Sequence, residues 1–326
     1  MVLGIDVSKA TLDAALLLDP GAAKARHKVF PNTPQGHGQL LLWLQEQGTA
    51  PVHATLEATG TYGEAVAVAL HEAGHRVSLV NPALVRAFGL SQLKRTKTDK
   101  ADAILIARFG AMHQPAAWTP PAPELRELQS LVRRVEALEE MKQMEENRLE
   151  SGAWCETVRA SLLDHIKYLH SQIEAARRQI QDHIEAHPAL KEQSRLLQSI
   201  PGIGQVTAAV LLSEIGDFSH FQSARQVAAF AGLVPRIRES GSSVRGKPRL
   251  SKVGSPRLRK CLYFPAMTAL RWNPLIKALG LRLSAQGKPK MLILGAAMRK
   301  LLHLAYGVLK SGKIFDVNFS AQTCAT

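Results

Sequence analysis

Four carboxylates are spaced as a metal-dependent phosphodiester-processing centre would need them. Asp6 ends a short apolar run in GIDVSKATLD, Glu57 interrupts another in ATLEATGTYG, and Asp99 and Asp102 open the apolar stretch DKADAILIARF. The runs VLGI and VHATL read as buried strands. A three-residue step on a helix stacks Asp99 and Asp102 on one face, with Cβ atoms about 5–6 Å apart. Unpaired charge beside strand cores is costly to bury. A divalent cation would neutralise such a cluster and give it phosphodiester chemistry. Taken singly, each acid has a plainer reading: Asp6 as a turn former, Glu57 as a surface strand residue, Asp99 and Asp102 as a helix-dipole pair behind a Thr98 cap. Their joint placement is what points to a metal centre.

The elements that must position these acids alternate in type. VLGIDVS, LDAALLL and KVFPNT read as strands, followed by a helix over GHGQLLLWLQEQG, a strand over HATLEAT, a helix over EAVAVALHEAG and a strand over RVSLVNP. Three strands in series and then alternation predict a mixed sheet covered by helices. This is a ribonuclease-H-like order, in which acids from strand one, strand four and a late helix meet at one sheet edge. An actin-like or sugar-kinase ATPase shares the sheet and the first-strand Asp, but it needs glycine-rich phosphate loops in two places, and only TGTYG is offered. The string HEAGH at His71–His75 fits a zinc-protease pattern only if both histidines share one continuous helix face. Gly74 reads as the residue that stops the helix, which leaves His75 outside it.

The rest of the chain is predicted to be helical. AAWTPPAPE is a proline-rich break. Leu125, Leu128, Val132, Val135 and Leu138 follow three-four spacing, and a second run covers LLDHIKYLHSQIEAARRQIQDHIEAH. The stretch reads either as an amphipathic hairpin packed on its own domain or as a coiled-coil arm used for assembly. From residue 191, LLQSIPGIGQVTAAVLLSEIG reads as helix, tight glycine turn, helix. IPGIG has the helix-hairpin-helix pattern, in which Gly202, Gly204 and the next helix N-terminus offer backbone N–H groups to a phosphate; an ordinary helical hairpin is the plain alternative. Another helix over FQSARQVAAFAGLVP is followed by RIRESGSSVRGKPRLSKVGSPRLRK, read as an exposed basic loop close to phosphates.

Charge is segregated along the chain. Residues 236–313 hold 18 Lys and Arg and one acid, Glu239, while the remainder holds 23 basic and 26 acidic residues. The net charge of +14 is therefore carried by the C-terminal quarter. Segregation this complete points to a polyanion-binding face rather than a generic solvated surface. Apolar content of 46% marks a globular chain. No uninterrupted apolar run reaches the roughly 18 residues of a membrane span. The N-terminus reads as lacking a signal peptide. Cys155, Cys261 and Cys324 are scattered, which suits a reducing cytoplasmic compartment and gives neither a disulfide framework nor a zinc spacing.

GIDVSKATLD, LEATGTYGEAVAVAL, VNPALVRAFG, KTDKADA, SIPGIGQVTAAVLL, QVAAFAGLVPR and ESGSSVRGKPRLSKVG, in this order over nearly the whole chain, resemble one family. It is the DEDD-type insertion-sequence transposases related to the Piv DNA invertase, a group of bridge-RNA-guided recombinases. The resemblance implies a RuvC-like domain over residues 1–118, a helical coiled-coil arm over 119–190 and a transposase domain over 191–326. It implies magnesium bound by Asp6, Glu57, Asp99 and Asp102, and a nucleophilic serine at Ser240, the first serine of ESGSSVRG. It further implies target and donor DNA and a structured guide RNA as partners, a tetramer with active sites shared between subunits, and a nucleoid-associated enzyme of the bacterial cytoplasm.

The residues accommodate that serine without selecting it. A hydroxyl is a poor nucleophile until it or its target is activated. Magnesium could polarise the scissile phosphate, and Arg236, Arg238, Arg245 and Lys247 could neutralise developing charge, with Arg249 and Lys252 nearby. Spacing alone does not choose among Ser240, Ser242 and Ser243. The leading function is a DNA recombinase acting through a covalent phosphoserine. The alternative is a RuvC-like junction nuclease that hydrolyses DNA with metal-activated water. A nucleic-acid-binding protein without catalysis is the third reading, and the acid quartet argues against it.

Overall fold

The computed structural model describes residues 1–21, 24–48, 51–58, 60, 62–92, 98–152, 154–240 and 244–318; at 219 and 237–248 the side chains are outside this description. The chain divides into two compact units, residues 1–120 and 121–326.

The first unit is a mixed five-stranded sheet. Its strands are β1 (Val2–Val7), β2 (Thr11–Leu17), β3 (Arg26–Pro31), β4 (His53–Glu57) and β5 (Arg76–Val80), in spatial order β3-β2-β1-β4-β5. The pairs β1–β2 and β2–β3 are antiparallel, whereas β1–β4 and β4–β5 are parallel. All five strands fall where the alternation places them. The parallel strands are crossed by α1 (Pro34–Gln47) and α2 (Glu64–Glu72), and α3 (Pro82–Ser91) and α4 (Asp99–His113) follow β5. Strand side chains alternate between two faces. One face carries Leu3, Ile5, Leu12, Leu16, Phe30, Ala54, Leu56 and Val77, which bury α1 through Leu40, Trp43 and Leu44 and α2 through Val66 and Leu70. The other face packs Val2, Ala15 and Leu17 against Ala103 and Ala107 of α4, with Val80 meeting Phe88 of α3 and Ile106 and Phe109 of α4. The acids lie on this second face.

The second unit is mostly helical. It begins with an antiparallel pair, α5 (Pro123–Ser151) and α6 (Glu156–Ala186). Leu128 and Val132 of α5 belong to the main core, while Val135 and Leu138 pack with Leu169, Ile173 and Ala176 in a separate apolar seam farther along the pair. Then come α7 (Pro188–Gln198), α8 (Gln205–Ile215) and α9 (Ala224–Phe230), a strand pair β6 (Pro235–Ser240) and β7 (Val244–Leu250), and α10 (Pro256–Trp272), α11 (Pro274–Ala285) and α12 (Lys290–Ser311). Proline sits at the first turn of α5, α7, α10 and α11, where its missing N–H has no helical acceptor to lose. α12 has the length and apolar composition of a membrane span. The fold instead uses it as a core helix, with Leu294, Ala297, Met298, Leu301, Leu302, Ala305 and Val308 buried.

One expectation changes here. The segment read as a basic loop is a two-stranded antiparallel hairpin, with Pro235 paired to Leu250 and Ser240 to Val244. A ladder is held by backbone N–H and C=O groups, so it forms without the apolar alternation by which strands are read in a sequence.

Candidate active site

Sheet register brings the first acids together. Ser8 closes the turn between β1 and β2: its N–H donates to the Thr11 carbonyl, and its Oγ accepts from the Thr11 N–H, both at 2.9 Å. That turn sets Asp6 opposite Asp13 and Gly4 opposite Ala15. Parallel pairing sets Gly4 beside Thr55. Two residues further, Asp6 and Glu57 follow on the same face.

Helix α4 lies directly on that face. A Cβ at Gly4 would fall 2.2 Å from the Ala107 nitrogen, and one at Gly110 would fall 2.3 Å from Thr55 Oγ1. Backbone therefore touches strand at two points, and α4 runs antiparallel to β1. Its first turn, with Asp99 and Asp102, arrives at the C-terminal end of β1 and β4. Thr98 caps the helix, its Oγ1 accepting from the Ala101 N–H at 3.2 Å.

The acids stand in one another's field. Burial pushes the Asp6 carboxyl above the usual range, and repulsion from Asp102, Asp99 and Asp13 adds to it, against an opposing hydrogen bond from the Val7 backbone. Burial also raises Glu57, with repulsion from Asp6 and Asp102 behind it. Among the described residues, no three Asp, Glu, His or Cys side chains stand within joint reach of one ion. Asp6 feels Asp99 and Asp102, and Glu57 feels Asp6 and Asp102. Their chemistry fits a hard cation: all four are oxygen donors, and their mutual repulsion is what a divalent charge would relieve.

Two groups beside the site were missed in the sequence. Asp13 is a fifth acid, buried and bonded to His27 Nε2 at 2.8 Å. Its signal was its place two residues before Ala15 on the face that carries Asp6. Asn32 donates through Nδ2 to the carbonyls of Ser8 and Tyr62 at 2.9 and 3.0 Å, tying together the segments that follow β1, β3 and β4. The HEAGH string is settled as expected: α2 ends at Glu72, Gly74 has φ of 82°, and the His75 ring accepts from the Val52 N–H.

The basic hairpin belongs to the second unit. Ser240 is the last residue of β6. The side chains of Ser240, Arg238, Arg245 and Lys247 lie outside the described set, as do Ser242 and Ser243 altogether. Arg236 and Arg249 are exposed and directly cross-strand, a like-charge pairing that is unfavourable without an anion between them. The hairpin's root is firmly fixed. Ser251 and Lys252 donate through their N–H groups to Val234 and Gly232, and Ser255 to Phe230. Arg259 Nη1 reaches the carbonyls of Ala231, Gly254 and Ser255 at 3.0–3.2 Å. Glu214 of α8 accepts from Ser255 and Arg257, and Arg257 also pairs with Glu136 of α5. Lys252 holds a left-handed φ of 56° with its side chain exposed.

The turn between α7 and α8 separates its two glycines by role. Gly202 has φ of 111°, and a Cβ there would meet Ala269 Cβ at 2.8 Å and the Pro265 carbonyl at 2.9 Å. It faces α10 and permits close packing. Gly204 opens onto free space and precedes α8, whose N-terminus lacks a side-chain cap. The first N–H groups of α8 therefore have the free donors of an anion-binding helix start.

Comparison with known proteins adds an independent line. Residues 3–152 match the DEDD transposase model of IS110 elements, and residues 194–280 match the transposase IS116/IS110/IS902 family. The pilin gene-inverting protein of Moraxella bovis is 36% identical over 317 residues, covering 96% of this chain and 97% of that protein. Its namesake in Moraxella lacunata aligns over the same extent at the same identity. The transposase for insertion sequence element IS1328 of Yersinia enterocolitica is 29% identical over 225 residues, covering 59% of this chain and 64% of its own.

Proposed function

The chain belongs to the IS116/IS110/IS902 transposase family and is a DNA transposase or recombinase, and from that premise we propose that it cuts and rejoins DNA through a covalent bond to Ser240, beside magnesium held by a RuvC-like acid quartet. The observation that carries this reading is the gathering of Asp6, Glu57, Asp99 and Asp102 at one sheet edge within one another's field. A divalent cation held there would supply charge neutralisation at the scissile phosphate and at the departing oxygen.

The chain's own groups do the rest. Ser240 Oγ bonds to phosphorus as the bond from phosphorus to the leaving deoxyribose oxygen breaks. The Oγ proton is released, and the leaving oxygen takes one up. Rejoining reverses the step with a different strand's hydroxyl. Arg236, Arg238, Arg245 and Lys247 offset the charge gathered on the phosphate, while Arg249, Lys252, Gly204 and the α8 N-terminus hold the backbone in a helix-hairpin-helix manner, with Gly202 setting the turn. The serine and the acids belong to different compact units, and the reading assigns each unit its own part of the same reaction.

A structured guide RNA is included in the proposal, resting on the family resemblance and on the excess of positive charge over residues 236–313. So is assembly, as a tetramer through a coiled-coil arm. The distal part of the α5–α6 pair leaves Met141, Met144, Trp154, Leu163 and Tyr168 exposed, apolar surface of the kind that marks protein contacts.

The test is Ser240→Ala beside Ser242→Ala and Ser243→Ala, with denaturing gels that detect protein–DNA adducts. Loss of the adduct in Ser240→Ala alone supports the assignment. Full recombination by Ser240→Ala refutes it and leaves hydrolysis by metal-activated water.

A further inference from the structure

The solvent face of α10 has an unusual composition. Helices in strongly basic domains normally show water their charged and polar residues. The buried positions of α10 are Leu258, Leu262, Ala266 and Ala269, and Asn273 continues that line as the buried cap of α11. The opposite face shows water Lys260, Phe264, Met267, Thr268, Arg271 and Trp272. At 100° per residue these six lie within one continuous stripe. Phe264 and Trp272 are each 73% exposed, and Met267 is 42% exposed.

Two aromatic rings this open are not serving the core. They lie eight residues apart, about 12 Å along the helix axis, which matches three to four nucleotides at about 3.4 Å each. Cations alternate with them: Arg271 on the same stripe, exposed Lys277 one turn into α11, and Lys260, whose exposed Nζ stands 3.5 Å from Glu140. Arg271 and Lys277 have no acidic neighbour along the chain, because the only acid between 236 and 313 is Glu239. Flat apolar faces interleaved with positive charge are the components of a base-stacking platform, on which any nucleobase can lie while its phosphates meet Lys and Arg. A protein partner would have to match that charge with acids of its own. An unpaired nucleic-acid strand brings rings and phosphates together at the required spacing.

We infer that the exposed face of α10, through Phe264 and Trp272 with Lys260, Arg271 and Lys277, stacks the bases of an unpaired DNA strand. The inference rests on the reading of the chain as a DNA strand-exchange enzyme, in which strands leave their duplex before they are rejoined. It gives the basic helical region a preference for opened over intact DNA, which a general attraction for phosphates does not provide.

The experiment uses full-length protein in EDTA, so that no cleavage intervenes, with a fluorescently labelled 15-nucleotide oligothymidylate, a 15-base-pair duplex and an oligouridylate as probes. Phe264→Ala and Trp272→Ala are each expected to weaken single-strand binding about tenfold and to change duplex binding less than twofold, while Trp272→Phe restores most of the loss. Intrinsic fluorescence should be quenched by oligothymidylate in wild type and much less so in Trp272→Phe. Equal losses on single strand and duplex, or no loss on either, overturn the platform. Tighter, Trp272-dependent binding of oligouridylate overturns the choice of DNA. A shift in sedimentation with unchanged oligonucleotide affinity assigns the face to a second copy of the chain and also overturns it. Both rings are exposed, and unchanged thermal melting excludes misfolding. Because cleavage is not measured, failure of the Ser240 assignment leaves this result unaffected.

Discussion

The acid edge of the sheet unit and the basic hairpin of the helical unit carry opposite charge and are built in opposite ways. The acids are held from below by packing: Gly4 and Gly110 let α4 rest on the strands, and register fixes Asp6 against Asp13. Among the described residues, the hairpin is held at its root, by Arg259, the Glu214–Arg257–Glu136 cluster and Leu250 packed on the core, and its two strands form their own two-stranded sheet. The contrast separates two ways of fixing charged groups. Packing from below holds carboxylates in place against mutual repulsion, whereas ion pairs and backbone hydrogen bonds at its base hold the basic strand pair.

The largest expected effect breaks the acid edge. Asp102→Asn should lower strand cleavage at least about a thousandfold, the scale of several kcal/mol of lost charge stabilisation. The same change should raise the melting temperature of metal-free protein. The sign follows from the two raised carboxyls. The folded state binds protons more tightly than the unfolded chain at Asp6 and Glu57, so their contribution to stability is greatest below the ordinary carboxylate range. It is lost as pH rises from that range through their folded values. Removing the Asp102 charge narrows the loss. Thermal melts in EDTA across mildly acidic pH check this, and a fall in stability for Asp102→Asn would refute the repulsion argument.

Next come the glycines, which compare the two units directly. Gly4→Ala drives a methyl into the Ala107 backbone and should cost about 3 kcal/mol in denaturant melts. Gly202→Ala meets Ala269 and the Pro265 carbonyl at a left-handed φ and should cost about 2 kcal/mol. Gly204→Ala meets nothing within 4 Å and should cost less than about 1 kcal/mol, while weakening DNA binding if the α8 N-terminus contacts phosphate.

How much of this was legible in the sequence depended on the kind of order involved. Four of the five strands could be read because each contains buried apolar residues in a short run, and β3 from the Val29–Phe30 pair although only Phe30 is buried; Asp6 and Glu57 could be read because they end or interrupt such runs. Asp99 and Asp102 announced themselves by helical spacing. Asp13 did not stand out, because its neighbour Asp6 is set by a cross-strand register that a linear reading does not contain. The hairpin was read as a loop because its order lies in backbone pairing rather than in side-chain pattern. The separate roles of Gly202 and Gly204 were equally hidden, since what distinguishes them is α10, some sixty residues away in the chain.

A smaller effect sharpens the electrostatic side. Arg236 and Arg249 oppose each other across β6 and β7, and without an anion they repel. Changing both to Ala should leave melting unchanged or raise it slightly, by less than about 1 kcal/mol. The slope of log affinity against log salt for duplex DNA should become shallower by about 1.8, two phosphate contacts at about 0.9 each. A clear loss of stability would mean that these arginines serve the fold rather than the DNA.

A last effect, of similar size, lies beneath the acids. Thr55 is fully buried on β4, and its Oγ1 finds no hydrogen-bond partner beside Gly110. An unpaired buried hydroxyl is unfavourable, and valine has nearly the same shape without it. Thr55→Val should therefore stabilise the protein by about 1 kcal/mol, read as a shift in denaturant midpoint with unchanged slope. Its position sharpens the comparison between the units. Thr55 lies two residues before Glu57 on the same face, so a hydroxyl kept there at a cost to stability is in place to matter to the acid edge. If Thr55→Val is more stable and cleaves DNA normally, the hydroxyl is a packing accident. If it is more stable and cleaves poorly, the acid edge depends on a polar layer under α4, and fixing the carboxylates takes more than the close approach at Gly4.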